Sequence, residues 1–242
     1  VFQHQYCHLI WKDDEDYQLQ WLNTKPKKIN CLKEVTLRKS KKKLIFTGDI
    51  CYDNLTNFIQ IDDEKKQSVC KNKSFLKSHL QKCVRRGLKY QALLTTYNWL
   101  EIDILALLRR LPIIMIEDVC LFNEVTIISW FMVMANQINI PISFKYWLCC
   151  LSISLTKYPV KIQPYKNETE IDFSKFKTLN KSDQNIIRAL WIRYEFGGMK
   201  GDMKMINYMI QYYLLQFSLG YQIPKMKYRK LTIYQYLSVK KY

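Results

Sequence analysis

The chain has 242 residues, 48% apolar and 14% aromatic, a composition that folds around a core rather than staying disordered. Lys and Arg number 38 against 21 Asp and Glu, and a net charge of +17 calls for a polyanionic partner to offset self-repulsion, with nucleic acid the first candidate. Six Gly and six Pro argue against collagen-like sequence and a turn-dense β-sandwich, and the longest apolar runs, 125–135 and 146–155, fall well short of the roughly 20 residues that cross a bilayer.

In chain order, the β-prone runs 32–37 and 44–50 flank the basic string 38–43 and predict a hairpin with a basic tip. A polar linker follows at 62–67. Ser74 is expected to cap a helix whose apolar residues repeat at helical spacing (Phe75, Leu76, His79, Leu80, Cys83, Val84), and Gly87 ends it. Helix continues over 89–100. Asp103 is placed to cap 104–111, and Pro112 to open a further short stretch. Asn123 with Glu124 begins an apolar helix, 144–157 forms the next, and 160–181 reads as a polar connector. Ser182 then caps 183–196, Gly197 and Gly198 break the helix, and Asp202 caps a long helix that Gly220 stops. One more helix is expected near 231–239.

Three segments hold the excess charge. Residues 25–43 carry nine basic residues and one acid, Glu34; residues 71–89 carry seven and no acid; everything after Asp202 carries seven and no acid. If these faces converge they form a phosphate-binding surface with a steep salt dependence. The residues expected to capture phosphate are Lys39, Lys41, Lys42, Lys43, Lys82, Arg85, Arg86, Lys227, Arg229 and Lys230. Tyr221, Tyr228, Tyr234, Tyr236 and Tyr242 accompany the last segment and could stack on unpaired bases. The competing reading is a solvated surface or an acidic protein partner.

Signals for chemistry are thin. His4, Cys7 and His8 offer two or three metal ligands, but a tetrahedral zinc site needs a fourth and the only later His is His79, so no metal is assigned. The sequence lacks the GxxxxGK[ST] loop that cradles phosphates in the Walker manner, and three His give no nucleophile motif, so neither a cofactor nor a catalytic residue is assigned. The turn from Gly197 to Asp202 offers backbone N–H groups at a helix start, although a helix–helix hinge is the commoner use of such a turn. Glu117 and Asp118 point about 100° apart on a helix and cannot share one proton. Arg109 and Arg110 lie about two turns earlier among Leu107, Leu108, Leu111, Ile113 and Ile114, so these four charges are expected to form structural ion pairs between buried helices. A metal-dependent nuclease site built from the same carboxylates plus Asp202 is the rival. Eight Cys without a CxxC fit a reducing compartment, cytoplasm or nucleus.

The strings Leu80-Gln-Lys-Cys-Val-Arg-Arg-Gly87, Gln91-Ala-Leu-Leu94, Leu108-Arg-Arg-Leu111 and Ile116-Glu-Asp-Val119 resemble the C-terminal helical collar of clamp-loader-related AAA+ ATPases of the MgsA/RarA group. The likeness covers about residues 75–159 and rests on short motifs. It implies a scaffold that oligomerises and lies near DNA. The nucleotide-binding module of that family has no counterpart here, so what is implied is a collar-like scaffold without ATPase activity. Lys, Ile, Asn and Tyr usage suggests an AT-rich viral or mobile-element genome.

The expected fold is therefore mainly α, a helical bundle or collar-like domain with a small N-terminal β-hairpin element. It divides into a basic β-containing region (1–70), a helical collar-like domain (71–160) and a helical region with a basic tail (161–242). The expected function is a non-enzymatic accessory or scaffold protein of DNA replication or maintenance. It binds nucleic acid, with DNA favoured over RNA, together with a protein partner or further copies of itself, and not a membrane. The alternatives are the nuclease or modifying-enzyme subunit and a structural component of a nucleoprotein particle.

Overall fold

A computed structural model describes residues 5–13, 16–52, 72–158 and 171–226. Lys227, Tyr228, Arg229, Lys230, Tyr234, Tyr236, Tyr242, His4, the 62–67 linker, residues 160–170 of the expected connector and the helix expected at 231–239 lie outside the described residues.

Two hairpins lie side by side. Strand β1 (Tyr6–Trp11) pairs antiparallel with β2 (Tyr17–Leu22), and β3 (Cys31–Thr36) with β4 (Lys43–Ile50). The inner strands β1 and β4 run parallel, giving the order β2-β1-β4-β3. Inner-strand residues Leu9, Trp11, Leu44 and Phe46 are buried, whereas edge strand β3 alternates between half-buried and exposed positions. The second hairpin is the expected one. The first is not among the sequence expectations, although Tyr6–Trp11 and Tyr17–Leu22 each carry β-prone aromatics on either side of an acidic stretch.

The rest of the described chain is helical. Asn72, rather than Ser74, caps α1 (Lys73–Arg85): its Oδ1 accepts from the N–H groups of Ser74 and Phe75. After Gly87, whose φ of +67° suits glycine, α2 (Lys89–Asp118) runs in two legs separated at Asp103, where φ is −164° and ψ 83°. Asp103 Oδ1 accepts from Ala106 N–H at 2.9 Å, so the second leg starts with its expected cap. That leg continues through Pro112 instead of restarting there, because Leu108, Leu111, Ile113 and Ile114 bury around the gap in hydrogen bonding that proline leaves. His79 meets Thr95, Lys73 meets Asp103 and Arg85 meets Asp118, so the first leg returns antiparallel to α1 and the second runs beside it in the same direction.

Helix α3 (Val125–Met134) is buried at every position and forms the centre of the molecule. Its Trp130 donates to the Cys7 carbonyl of β1 and its Ser129 to the Ala189 carbonyl. Helix α4 (Ile142–Leu155) stacks Phe144 on Phe131, with Trp11 edge-on to both. A 3-10 turn (Ser174–Thr178) precedes α5 (Lys181–Glu195), capped by Asn180 rather than Ser182, and α6 (Lys200–Ser218) follows the Gly197–Gly198 turn. A single apolar core takes members from the sheet and from all six helices.

Gly48 shows how closely the layers meet. A Cβ there would lie 2.6 Å from Cys31 Sγ and 3.0 Å from the Trp130 ring. Gly48→Ala is therefore expected to destabilise the protein by about 1 to 3 kcal/mol through overpacking, read as a lower urea midpoint with an unchanged slope.

Candidate functional site

Lys73, Lys77, Gln81 and Arg85 recur every four residues and so form one stripe on α1. The stripe faces the second leg of α2. At its Arg85 end the charges are matched: Arg85 Nε donates to Asp118 Oδ1 and its Nη2 to Glu117 Oε1 at 3.1 Å, while Gln81 Nε2 donates to Glu117 Oε2 at 2.9 Å and to Asp118 Oδ2 at 2.7 Å. Arg110 donates to Gln81 Oε1 and lies 3.8 Å from Glu117 and 3.4 Å from Asp202. Asp118 is 1% exposed, and burial pushes its carboxyl above the ordinary value against the pull of Arg85.

Near the start of α1 the stripe opens into a cleft of about 270 Å³ whose walls carry Lys73, Lys77, Arg109, Arg110 and Arg193 against a single carboxylate, Asp202. Arg193 is 2% exposed and donates to the Arg109 and Gly197 carbonyls, both at 2.8 Å. Burial, then the neighbouring Arg109, lowers its pKa to about 10. Arg109 donates to the Gly197 and Phe196 carbonyls at 3.0 and 3.4 Å rather than to a carboxylate. Lys77 is shifted down by burial and by the adjacent Arg110. Lys73 is held by Asp103 at 2.7 Å; burial works against that carboxylate, but the ammonium and the Ala106 N–H keep it below its ordinary value. Asp202 sits in the first turn of α6 and turns to Arg110; the N-cap of α6 is Met199, which supplies no side-chain acceptor.

The basic hairpin tip reaches the other side of the same turn. Glu195, 2% exposed at the end of α5, accepts from the backbone N–H of Lys39 at 2.6 Å and of Ser40 at 3.1 Å. Lys39 Nζ lies 3.5 Å from the centre of the Tyr194 ring, and Arg38 Nη1 would lie 3.6 Å from a Cβ on Gly197. Lys39, Lys41, Lys42 and Lys43 are exposed there. Two stretches separated in sequence, the tip and the start of α1, thus flank the Gly197–Gly198 turn. Lys82, Arg85 and Arg86 are exposed toward the far end of α1, about 14 to 20 Å from Lys73 at about 1.5 Å rise per residue.

The sequence reading did not single out Lys77, Arg193, Trp99 or Glu195. The four-residue spacing from Lys73 to Arg85 was a usable signal for the stripe. Nothing in the sequence links Glu195 to a hairpin some 155 residues away.

Glu117, Asp118 and Asp202, the carboxylates of the nuclease alternative, are each engaged by a guanidinium, and among the described residues no group of three His, Cys, Asp or Glu is placed to hold a metal. His8 Nδ1 lies 3.0 Å from Thr47 Oγ1, and the adjacent strand position Cys7 faces the opposite side of the sheet. A second cavity, about 560 Å³, is lined by Glu124, Asp183 and the 220–226 segment with one cation, Lys225, so it lacks the basic character of the cleft. No described helix is long and apolar enough to cross a membrane. Comparison with protein families, curated proteins and solved structures found nothing that matches the chain.

Proposed function

We propose that the protein is a non-enzymatic accessory or scaffold protein of DNA replication or maintenance that holds a nucleic-acid strand by its phosphates and acts with protein partners inside the cell. The observation that carries this reading is the docking of the 38–43 tip by Glu195 beside a turn whose other face is lined by Arg109 and Arg193. It brings separate basic stretches to one turn, while Asp118, Glu117 and Asp202 are engaged by arginines. The collar resemblance of 75–159 supports a scaffold role for the helices, with DNA as the favoured strand.

With about five phosphates contacted, affinity for a fluorescent single-stranded oligonucleotide should fall about a hundred-fold between 50 and 200 mM salt. Replacing Lys41 and Lys43 together by Glu should weaken binding and flatten that salt slope, with the melting curve kept, since both side chains are exposed. Salt-independent binding, or a double variant that binds like the parent, would overturn the reading.

A further inference from the structure

Among the cations of the cleft, Lys73 is matched by Asp103 and Arg110 by Asp202 and Glu117. Lys77, Arg109 and Arg193 have no carboxylate partner among the described residues: Lys77 Nζ lies 3.4 Å from Met199 Sδ, and the two arginines donate to carbonyl oxygens. Asp202 and Asp103 act on these three only at a distance and are already paired with Arg110 and Lys73, so the crowded cations, one of them 2% exposed, outnumber their counter-charge, an arrangement that an anion would relieve. The walls also contain two buried N–H groups that donate to nothing, Trp99 Nε1 on a ring 2% exposed and Arg110 Nε. The turn into α6 adds backbone N–H groups with no side-chain cap. Gly198 keeps the approach open, because a Cβ there would lie 3.4 Å from Arg193 Nη2 and 3.0 Å from Met203 Cε.

Size and charge narrow the anion. At about 270 Å³ the cleft holds a phosphate and the carbon that bears it, but not a base and sugar as well; pockets for whole small ligands run from roughly 300 to 1,000 Å³. Three unmatched cations suit a phosphate monoester, about −1.5 to −2 at neutral pH, better than the single charge of a backbone diester. The cleft lies across the Gly197–Gly198 turn from the hairpin tip, so a strand held along the tip can end in it. We propose that the cleft takes the terminal phosphate of a nucleic-acid strand, gripped by Lys77, Arg109 and Arg193; this rests on the nucleic-acid reading above.

The test uses the full chain and twelve-nucleotide single strands ending in a 5′-phosphate, a 3′-phosphate or hydroxyls only. One phosphorylated strand should bind about tenfold or more tighter than the hydroxyl strand. Lys77→Gln and, independently, Arg109→Gln should bring that ratio toward one, while the Lys41/Lys43 double variant weakens all strands alike and keeps the ratio. Equal binding of phosphorylated and hydroxyl strands would overturn the proposal and leave the nucleic-acid reading standing. No binding of any strand would overturn both. A preference that survives in both cleft variants, if their melting curves match the parent's, would place the strand end elsewhere. A rise in melting temperature with inorganic phosphate, unaccompanied by any preference among strands, would mark a site for free phosphate and equally overturn the assignment.

Discussion

Arg85→Ala is expected to lower stability by about 3 kcal/mol at neutral pH, whereas Arg86→Ala, one residue on, should stay within about 0.5 kcal/mol. Both side chains are exposed at the end of α1, but Arg85 is the cation on Asp118, which is 1% exposed and otherwise held by the neutral Gln81. Its loss leaves a carboxylate buried without counter-charge. The figure is set at the lower end of the range for buried pairs because the Arg85 side chain is 44% exposed. The pH dependence has a fixed sign. Burial already holds the Asp118 carboxyl above its ordinary value of 3.8, and removing Arg85 raises it further. A carboxyl whose folded pKa is raised contributes no deficit below the unfolded value and a growing one as pH climbs through the folded value. The gap between parent and variant in urea denaturation should therefore be wider at pH 7 than at pH 4.5. A gap of the same size at both values would show that Asp118 is not the group left unpaired. Glu117→Ala should have a smaller effect than Arg85→Ala, because Glu117 is 36% exposed and solvent takes over from Arg85 and Gln81.

This separation of neighbours marks where sequence reasoning stops. Local signals were legible: the 32–37 and 44–50 hairpin, the Asp103 cap, the Gly197–Gly198 break and the apolar helix through 125–134 all follow from spacing, turn residues and polarity. Cap residues slipped by two positions at Asn72 and Asn180, since Asn and Ser compete for that role on equal terms. Charges were harder. Glu117 and Asp118 look alike in sequence, and so do Arg85 and Arg86, because one residue on a helix turns the side chain by about 100° and decides which of them meets a neighbouring helix. Asp202, expected as a cap, is the third residue of α6 and bonds Arg110, a choice made by the packing of α6 against α2. The cleft itself joins residues 77, 109 and 193, and no local pattern reports a meeting of three distant segments.

Glu195→Ala is expected to weaken nucleic-acid binding about tenfold or more, although it makes the protein more positive. Charge alone predicts the reverse, since removing a carboxylate from a chain of net charge +17 strengthens its attraction for phosphate. The geometry decides against charge because both oxygens of Glu195 are engaged by the backbone N–H groups of Lys39 and Ser40, in a position 2% exposed. Without that carboxylate the two donors lose their acceptor, a loss of about 2 to 3 kcal/mol for the pair, and the tip is no longer held against Tyr194 and Gly197. A strand must then order the loop as it binds, which offsets the gain in charge. Glu195→Gln keeps one carbonyl oxygen and the shape of the side chain while removing the same charge, so it should recover part of both stability and affinity. Binding curves and urea melts on the two variants separate the causes: tighter binding by both would show that the carboxylate acts only through its charge and that the tip needs no anchor.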